Sequence, residues 1–441
     1  MFEIREKPEM VERAMLVSIY FDPSEAGEKQ AMLDELEDLV SNLGIGIVGK
    51  HLVKSRDMHA KFLCGTGKAQ EGKQLAVDCG ADCVVFDNML APSQQREWER
   101  LIDECVIDRE EVILDIFAKR ARTREATLQV ELARMQYSLP RMARMWSHLD
   151  RQGGGSGGGK GGGGAARGEG EKQIEVDRRL ARARIEAIQK ELVMVTRQRA
   201  TQRKERERQA VATAAIVGYT NAGKSSLLSL VSGSEVMARD MLFATLDTTT
   251  RKIELPNGQP LLLTDTVGFI RNLPHRLVEA FKSTLEEAVL ADFLVQVVDA
   301  SDPEAVRHYE TTLEVLGELG AGDKPMIVVL NKLDLVPEEE RAALTERLAP
   351  HFNGSLVCMS VREGQGTEDL LRACVEMLES RVRRARFLIP YTRSDLAAAM
   401  HSEGMVISTE YVEEGALVEA VLPVAFYNKV SQFLAEPSCE E

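Results

Sequence analysis

Hydrophobic and polar positions follow three different rhythms along the 441-residue chain. Over residues 1–118, short apolar runs read as strands: MLVSIYF (15–21), IGIVGKHLV (45–53) and ADCVVFDN (81–88). Between the first two lies EKQAMLDELEDLVSNLG (28–44), whose apolar positions share one helical face and stop at a glycine. This alternation predicts an α/β module. Over 119–210 the rhythm changes to four–three spacing, first at Leu128, Leu132, Met135, Leu139, Met142, Trp146 and Leu149, then at Ala181, Ile185, Ile188, Leu192 and Val195. Two such stripes predict two long helices paired as a coiled-coil hairpin, the first interrupted at Pro140. Over 211–382, TAAIVGY (213–219), LLLTDT (261–266), FLVQVVDA (293–300), PMIVVLNK (325–332) and SLVCMS (355–360) alternate with helical patterns. Strands apolar on both faces imply a mostly parallel sheet covered on both sides. Residues 383–441 combine FLIPYT, a helix around Ser394–Ser402, EYVEEGALVEAVLP and a final helix, which predicts a small α/β domain.

Charge alters this picture in one place. A net charge of −15 argues against a chain that grips nucleic acid throughout. Yet residues 119–208 hold 22 Lys and Arg against 11 Asp and Glu, a local excess of +11. Ten glycines crowd residues 153–164 between the two helices, a composition that packs no core and forms a mobile tip. A basic arm on an acidic body is therefore expected, suited to RNA phosphates. The seven cysteines include no C-x-x-C, and the amino terminus, MFEIREKPEMVER, has no signal-peptide core. With no apolar run of about 18 residues, free thiols, no membrane insertion and a cytoplasmic location are expected. The stretch KFLCGTGKAQE invites a phosphate-loop reading but lacks its spacing, so a tight strand-to-helix turn is expected there.

The chemistry concentrates in the third region. GYTNAGKS (Gly218, Tyr219, Thr220, Asn221, Ala222, Gly223, Lys224, Ser225) follows a predicted strand and precedes a predicted helix. That context suits a phosphate loop: backbone amides wrap the phosphates, Lys224 reaches the β- and γ-phosphates, and Ser225 offers its hydroxyl to Mg²⁺. DTVG (Asp265, Thr266, Val267, Gly268) ends a later strand, where the aspartate can hold magnesium through water and the Gly268 amide can sense the γ-phosphate. NKLD (Asn331, Lys332, Leu333, Asp334) ends another strand. The Asp334 carboxylate can accept both N–H groups of a guanine edge while the Lys332 stem covers the base. SVR (Ser360, Val361, Arg362) ends the last strand, where backbone amides can meet the guanine oxygen. Four elements in this order, each at the carboxyl end of a strand, imply GTP as substrate. Between the first two lies FATLDTTTR, in which Thr245, Thr248, Thr249 and Thr250 compete to complete the magnesium shell. Phe269 stands where many GTPases carry a water-positioning glutamine, so slow intrinsic turnover and an outside activator are expected. Asn221 is a candidate ligand for a monovalent cation such as K⁺, or a loop residue making local hydrogen bonds.

An α/β module, a basic hairpin and a GTPase domain carrying FATLD and DTVGF, in that order, resemble the HflX family over nearly the whole chain. HLDRQGGG (His148–Gly155) and EVDRRL (Glu175–Leu180) are similar to that family's hairpin flanks. The resemblance implies a Ras-like P-loop GTPase sheet that binds the large ribosomal subunit and splits or rescues stalled ribosomes under stress. It implies that the 119–210 hairpin meets ribosomal RNA, with no role for DNA, and that the chain works as a monomer. It selects Thr245 as a magnesium ligand beside Ser225 and places FATLD (Phe243, Ala244, Thr245, Leu246, Asp247) among the nucleotide-binding residues. Three places depart from the family pattern: GEGE (Gly168–Glu171) replaces GPGE, the glycine run before it is unusually long and pure, and, more mildly, SVR replaces the commoner SA-x. A different expectation, also consistent with the residues, keeps the GTPase and makes the hairpin a protein-docking coiled coil in signalling or assembly.

Overall fold

The computed structural model describes residues 11–144, 175–195, 211–233, 243, 245–272, 282–352, 354–379 and 382–435. They form two compact units. The first comprises Met1–Met194, Asp240–Asp247 and Arg271–Lys282; the second comprises Val195–Arg239, Thr248–Ile270 and Ser283–Glu441.

The first unit is built on four parallel strands in the order β2-β1-β3-β4, with β1 Arg13–Tyr20, β2 Gly46–Lys54, β3 Cys83–Phe86 and β4 Cys105–Asp108. Helices α1 (Ala26–Asn42), α2 (Thr66–Cys79), α3 (Pro92–Ile102) and α4 (Arg109–Arg120) accompany them. The KFLCGTGKAQE stretch runs into α2 with Gly65 at its extended cap, so it is a turn into a helix. Helix α5 (Arg124–Ser138) is capped by the Thr123 hydroxyl, which accepts from the Ala126 amide at 3.2 Å. It gives way to a 3₁₀ turn, Leu139–Arg144, where Pro140 removes an amide and crowds the preceding turn. A second helix runs over 175–195. Leu128 and Leu132 pack on Ile188, flanked by Ile185 and Leu192, so the two apolar stripes meet as their spacing predicts. The Arg184 guanidinium grips both carboxylate oxygens of Glu131, at 2.8 and 3.0 Å. Trp146, Leu149, the glycine-rich tip and GEGE lie outside the described residues.

The base of α5 is fixed to the sheet by a buried polar cluster. The Tyr137 hydroxyl donates to Asp108 at 3.0 Å, and Arg141 donates to Gln95 at 2.9 Å and to the Leu90 carbonyl at 2.8 Å. Burial pushes the Asp108 carboxyl upward, although Arg141 and two backbone amides favour its ionised form. Such a cluster keeps its arrangement because any displaced member leaves another buried and unsatisfied.

The second unit holds a six-stranded sheet in the order β10-β9-β8-β5-β7-β6. Strands β5 (Ala212–Gly218), β7 (Pro260–Asp265), β8 (Phe293–Asp299), β9 (Met326–Asn331) and β10 (Ser355–Cys358) are parallel, and the polar edge strand β6 (Thr249–Glu254) runs antiparallel to β7. β9 is buried along its length and β8 nearly so, which explains sequences that are apolar but for the buried Gln296 and the polar residue ending each strand. Strand β6 has no such run and escapes the hydrophobic pattern. A three-stranded antiparallel sheet follows in the order β11-β13-β12, from Val382–Ile389, Gly415–Pro423 and Met405–Val412. Its core gathers Phe387, Val418, Leu422, Met400 and Phe426. Among the described residues, no helix is long and apolar enough to cross a membrane.

Candidate nucleotide site

β5 lies between β7 and β8, so the loop leaving its carboxyl end opens where the sheet order changes direction, the usual position for a ligand in such sheets. Gly218 closes the strand at φ +141°, and a Cβ there would run into the Val297 carbonyl. Two backbone bonds then tie the phosphate loop to the end of β7: Phe269 donates to the Gly218 carbonyl at 3.1 Å, and Thr220 donates to the Phe269 carbonyl at 2.8 Å. Phe269, only 1% exposed, is thus a buried wall behind the loop with no polar group to offer a water molecule. Tyr219 stacks on His308 with ring centroids 3.7 Å apart, and Asn221 sits exposed at φ +60°.

The helix Lys224–Ser232 begins directly beneath this loop. Lys224 is buried and donates to the Tyr219 carbonyl at 2.6 Å. Desolvation lowers its ammonium to about 8, with Asp265 pulling in the opposite direction. Ser225 donates to Asp265 at 2.7 Å. Gly268 approaches so closely that an added Cβ would lie 2.8 Å from Thr220 Cγ2 and 2.9 Å from Lys224 Nζ. The Thr220 hydroxyl is buried and finds no hydrogen-bond partner among the described residues. A desolvated lysine, a hydroxyl beside a carboxylate and an unsatisfied buried hydroxyl fit a phosphate chain with its magnesium, because each gains from charge of the right sign. Within DTVG, the buried Thr266 hydroxyl donates to the Ile216 carbonyl at 2.7 Å and braces β5.

At the base end, Asn331 holds the site together. Its amide donates to the Ala222 carbonyl at 2.9 Å, and its oxygen accepts from the Val361 amide at 3.0 Å, so one side chain fixes the spacing of three loops. Lys332 adopts φ +64° and its ammonium meets Asp299 at 2.7 Å, which holds the aliphatic stem in place. Ser360 donates to Asp334 at 2.7 Å and accepts from the Glu363 amide at 3.2 Å, orienting the carboxylate. The Val361 amide is committed to Asn331 and the Ser360 amide to the Gln365 carbonyl, so Arg362 carries the remaining amide of the SVR turn. Leu333 is buried, and the Arg362 side chain is exposed.

FATLD belongs to the first unit and is held there by its own side chains. Phe243 is buried edge-on against Phe117 of α4, with centroids 4.6 Å apart. Asp247 accepts from the Arg122 and Thr123 amides at 3.0 and 3.1 Å and from the Thr123 hydroxyl. Leu246 is buried and Thr245 is half-buried. The side chains of Phe243, Leu246 and Asp247 are therefore spent on packing and helix-end hydrogen bonds. The physical reason is that an aromatic ring and a carboxylate find apolar cover and free amides there. Ala244 lies outside the described residues.

Comparison with known proteins decides the family. Residues 30–118 match a family model described as GTP-binding GTPase N-terminal, 120–206 one described as GTP-binding GTPase Middle Region, and 213–332 one described as 50S ribosome-binding GTPase. A GTPase HflX from Akkermansia muciniphila is 91% identical over 436 residues, covering 99% of this chain and 100% of that protein. The chain belongs to the HflX family of GTPases. HflX proteins from Chlamydia pneumoniae and Escherichia coli are 39% and 40% identical, covering 98% and 92% of this chain and 90% and 92% of their own lengths. Within this HflX chain, two groups escape a motif reading. The Tyr219–His308 stack joins residues far apart in sequence, and the acceptor role of Asp247 depends on Thr123, whose only signal is a Thr just before a helical pattern.

Proposed function

We propose that this GTPase is a cytoplasmic, monomeric switch that engages the large ribosomal subunit through its 119–210 arm and splits or rescues stalled ribosomes under stress. The observation that carries this reading is the match of residues 213–332 to a family model described as 50S ribosome-binding GTPase, on a chain whose 119–208 segment is strongly basic. The second unit supplies the chemistry. Lys224 neutralises the β- and γ-phosphates, Asp334 selects guanine, and Asn331 keeps the phosphate and base ends at a constant separation. Ser225, with Asp265 beside it and Thr245 as a third candidate, would hold Mg²⁺, which supplies charge neutralisation at the leaving phosphate. Asn221, exposed and without a hydrogen bond among the described residues, leaves its amide oxygen to a K⁺ ion at the β–γ junction. Because Phe269 offers no polar group, water positioning falls to the docked partner, which makes hydrolysis a report of ribosome engagement.

Sedimentation with ribosomes in the presence of GTP, GDP or a non-hydrolysable analogue tests this reading. Binding that follows nucleotide state and weakens steeply as salt rises supports a phosphate-gripping arm. Salt-insensitive capture removes the phosphate-gripping arm from the reading, and no capture removes the ribosome and leaves the family GTPase.

A further inference from the structure

Two buried threonines of this fold satisfy their hydroxyls from the backbone. Thr266 donates to the Ile216 carbonyl at 2.7 Å, and Thr312 donates to the His308 carbonyl at 2.9 Å. Thr220 does not. Its residue is only 6% exposed, its amide is spent on the Phe269 carbonyl at 2.8 Å, and its Oγ1 has no partner among the described residues. An unpaired hydroxyl at this depth is destabilising, so its retention asks for a ligand that offsets the loss.

The neighbours of Thr220 identify that ligand. An added Cβ on Gly268 would lie 2.8 Å from Thr220 Cγ2 and 2.9 Å from Lys224 Nζ, so the threonine side chain and the ammonium close on the same point of the Gly268 backbone. The Gly268 backbone itself completes this cluster. Lys224 is desolvated by burial and favours an anion beside it. An anion brought to that ammonium would come to the side chain that carries the loop's unpartnered hydroxyl.

We propose that Thr220 is a γ-phosphate-selective residue, its hydroxyl donating to a γ-phosphoryl oxygen of GTP and having no acceptor in GDP. The assignment rests on the GTP-binding reading of this site and adds to it a group that tells triphosphate from diphosphate. The donor neither gains nor loses a proton overall. Hydrolysis itself forms the bond from water oxygen to the γ-phosphorus, breaks the bond to the β–γ bridging oxygen, and leaves that electron pair on GDP. The threonine methyl packs over Gly268, so shape and hydrogen bonding are separable at this position.

The test compares full-length wild type, Thr220→Val and Thr220→Ser in equilibrium binding of GDP and of a non-hydrolysable GTP analogue with magnesium. Valine keeps the volume and the methyl contact and deletes the donor; serine keeps the donor. The expected result is a loss of about tenfold or more for the analogue in Thr220→Val, the scale of one hydrogen bond to a charged group. GDP affinity should stay within about twofold of wild type, and Thr220→Ser should stay within about threefold for both ligands. Unchanged analogue binding in Thr220→Val, or an equal loss for GDP and analogue, overturns the proposal. A wild-type chain that bound neither nucleotide would overturn the nucleotide reading itself, and the assignment with it.

Discussion

The Asp247 carboxylate accepts the Thr123 hydroxyl and the backbone amides of Arg122 and Thr123, so FATLD is pinned to the start of the first hairpin helix. Thr123 is also that helix's cap. A negative charge at this end complements the positive pole of the helix. Phe243 against Phe117 adds an apolar contact to the same anchor.

Asp247→Ala should remove this anchor and lower the stability of the first unit by about 1–2 kcal/mol, the range for a partly exposed charged acceptor of several amides. Chemical denaturation read by a probe in that unit measures it. Stability equal to wild type would show that the carboxylate only decorates the helix end.

Lys224 predicts a proton signature. Its folded pKa is lowered to about 8, so without ligand it loses its charge as pH rises through that value. Bound phosphates favour the charged form and raise the pKa again. Nucleotide binding should therefore take up protons increasingly between pH 7 and pH 8.5, reaching about half a proton near pH 8. Titration calorimetry in buffers of different ionisation enthalpy reads this directly. Binding without rising uptake would contradict the burial of this ammonium.

Asp334→Asn replaces an acceptor pair with one acceptor and one donor, so GTP affinity should fall and xanthosine triphosphate should become the better ligand. Ser360, which donates to this carboxylate, should keep the new side chain oriented. Competition binding with the two nucleotides decides it, and an undiminished preference for guanine would displace the base from this pocket.

Phe269→Gln tests the wall behind the phosphate loop. Placing an amide where a fully buried ring stands should cost about 2–4 kcal/mol of stability. Basal GTP turnover should not rise, since the side chain points into packing. A glutamine variant that hydrolysed GTP faster, with its melting point intact, would show that the position faces the reaction.

Legibility followed the physics of each segment. Buried strands such as β8 and β9 announce themselves because both faces are apolar, and Pro140 marks the break in the hairpin helix. β6 was not legible, because an antiparallel edge strand with TTRKIE carries no continuous apolar run. β4 was not legible for a different reason: CVID ends on an aspartate and sits directly between two helical patterns. The phosphate-loop, DTVG, NKLD and SVR residues were legible because each motif needs particular donors at particular spacings. The uses of Thr266, Phe243 and Asp247 were not, because a side chain that braces a strand or caps a distant helix depends on partners the local sequence does not contain. Asn331 shows both sides: its place in NKLD is a motif property, whereas its bonds to Ala222 and Val361 emerge only when three loops converge.

The most direct test of the central claim is GTP turnover by the full chain, with and without purified large ribosomal subunits, at saturating GTP and magnesium. A slow basal rate raised at least about tenfold by the subunits is predicted, the gain expected when a partner completes a site lacking its own water-positioning side chain. A rate that saturating subunits leave unchanged would contradict it and favour a hairpin that docks on another protein.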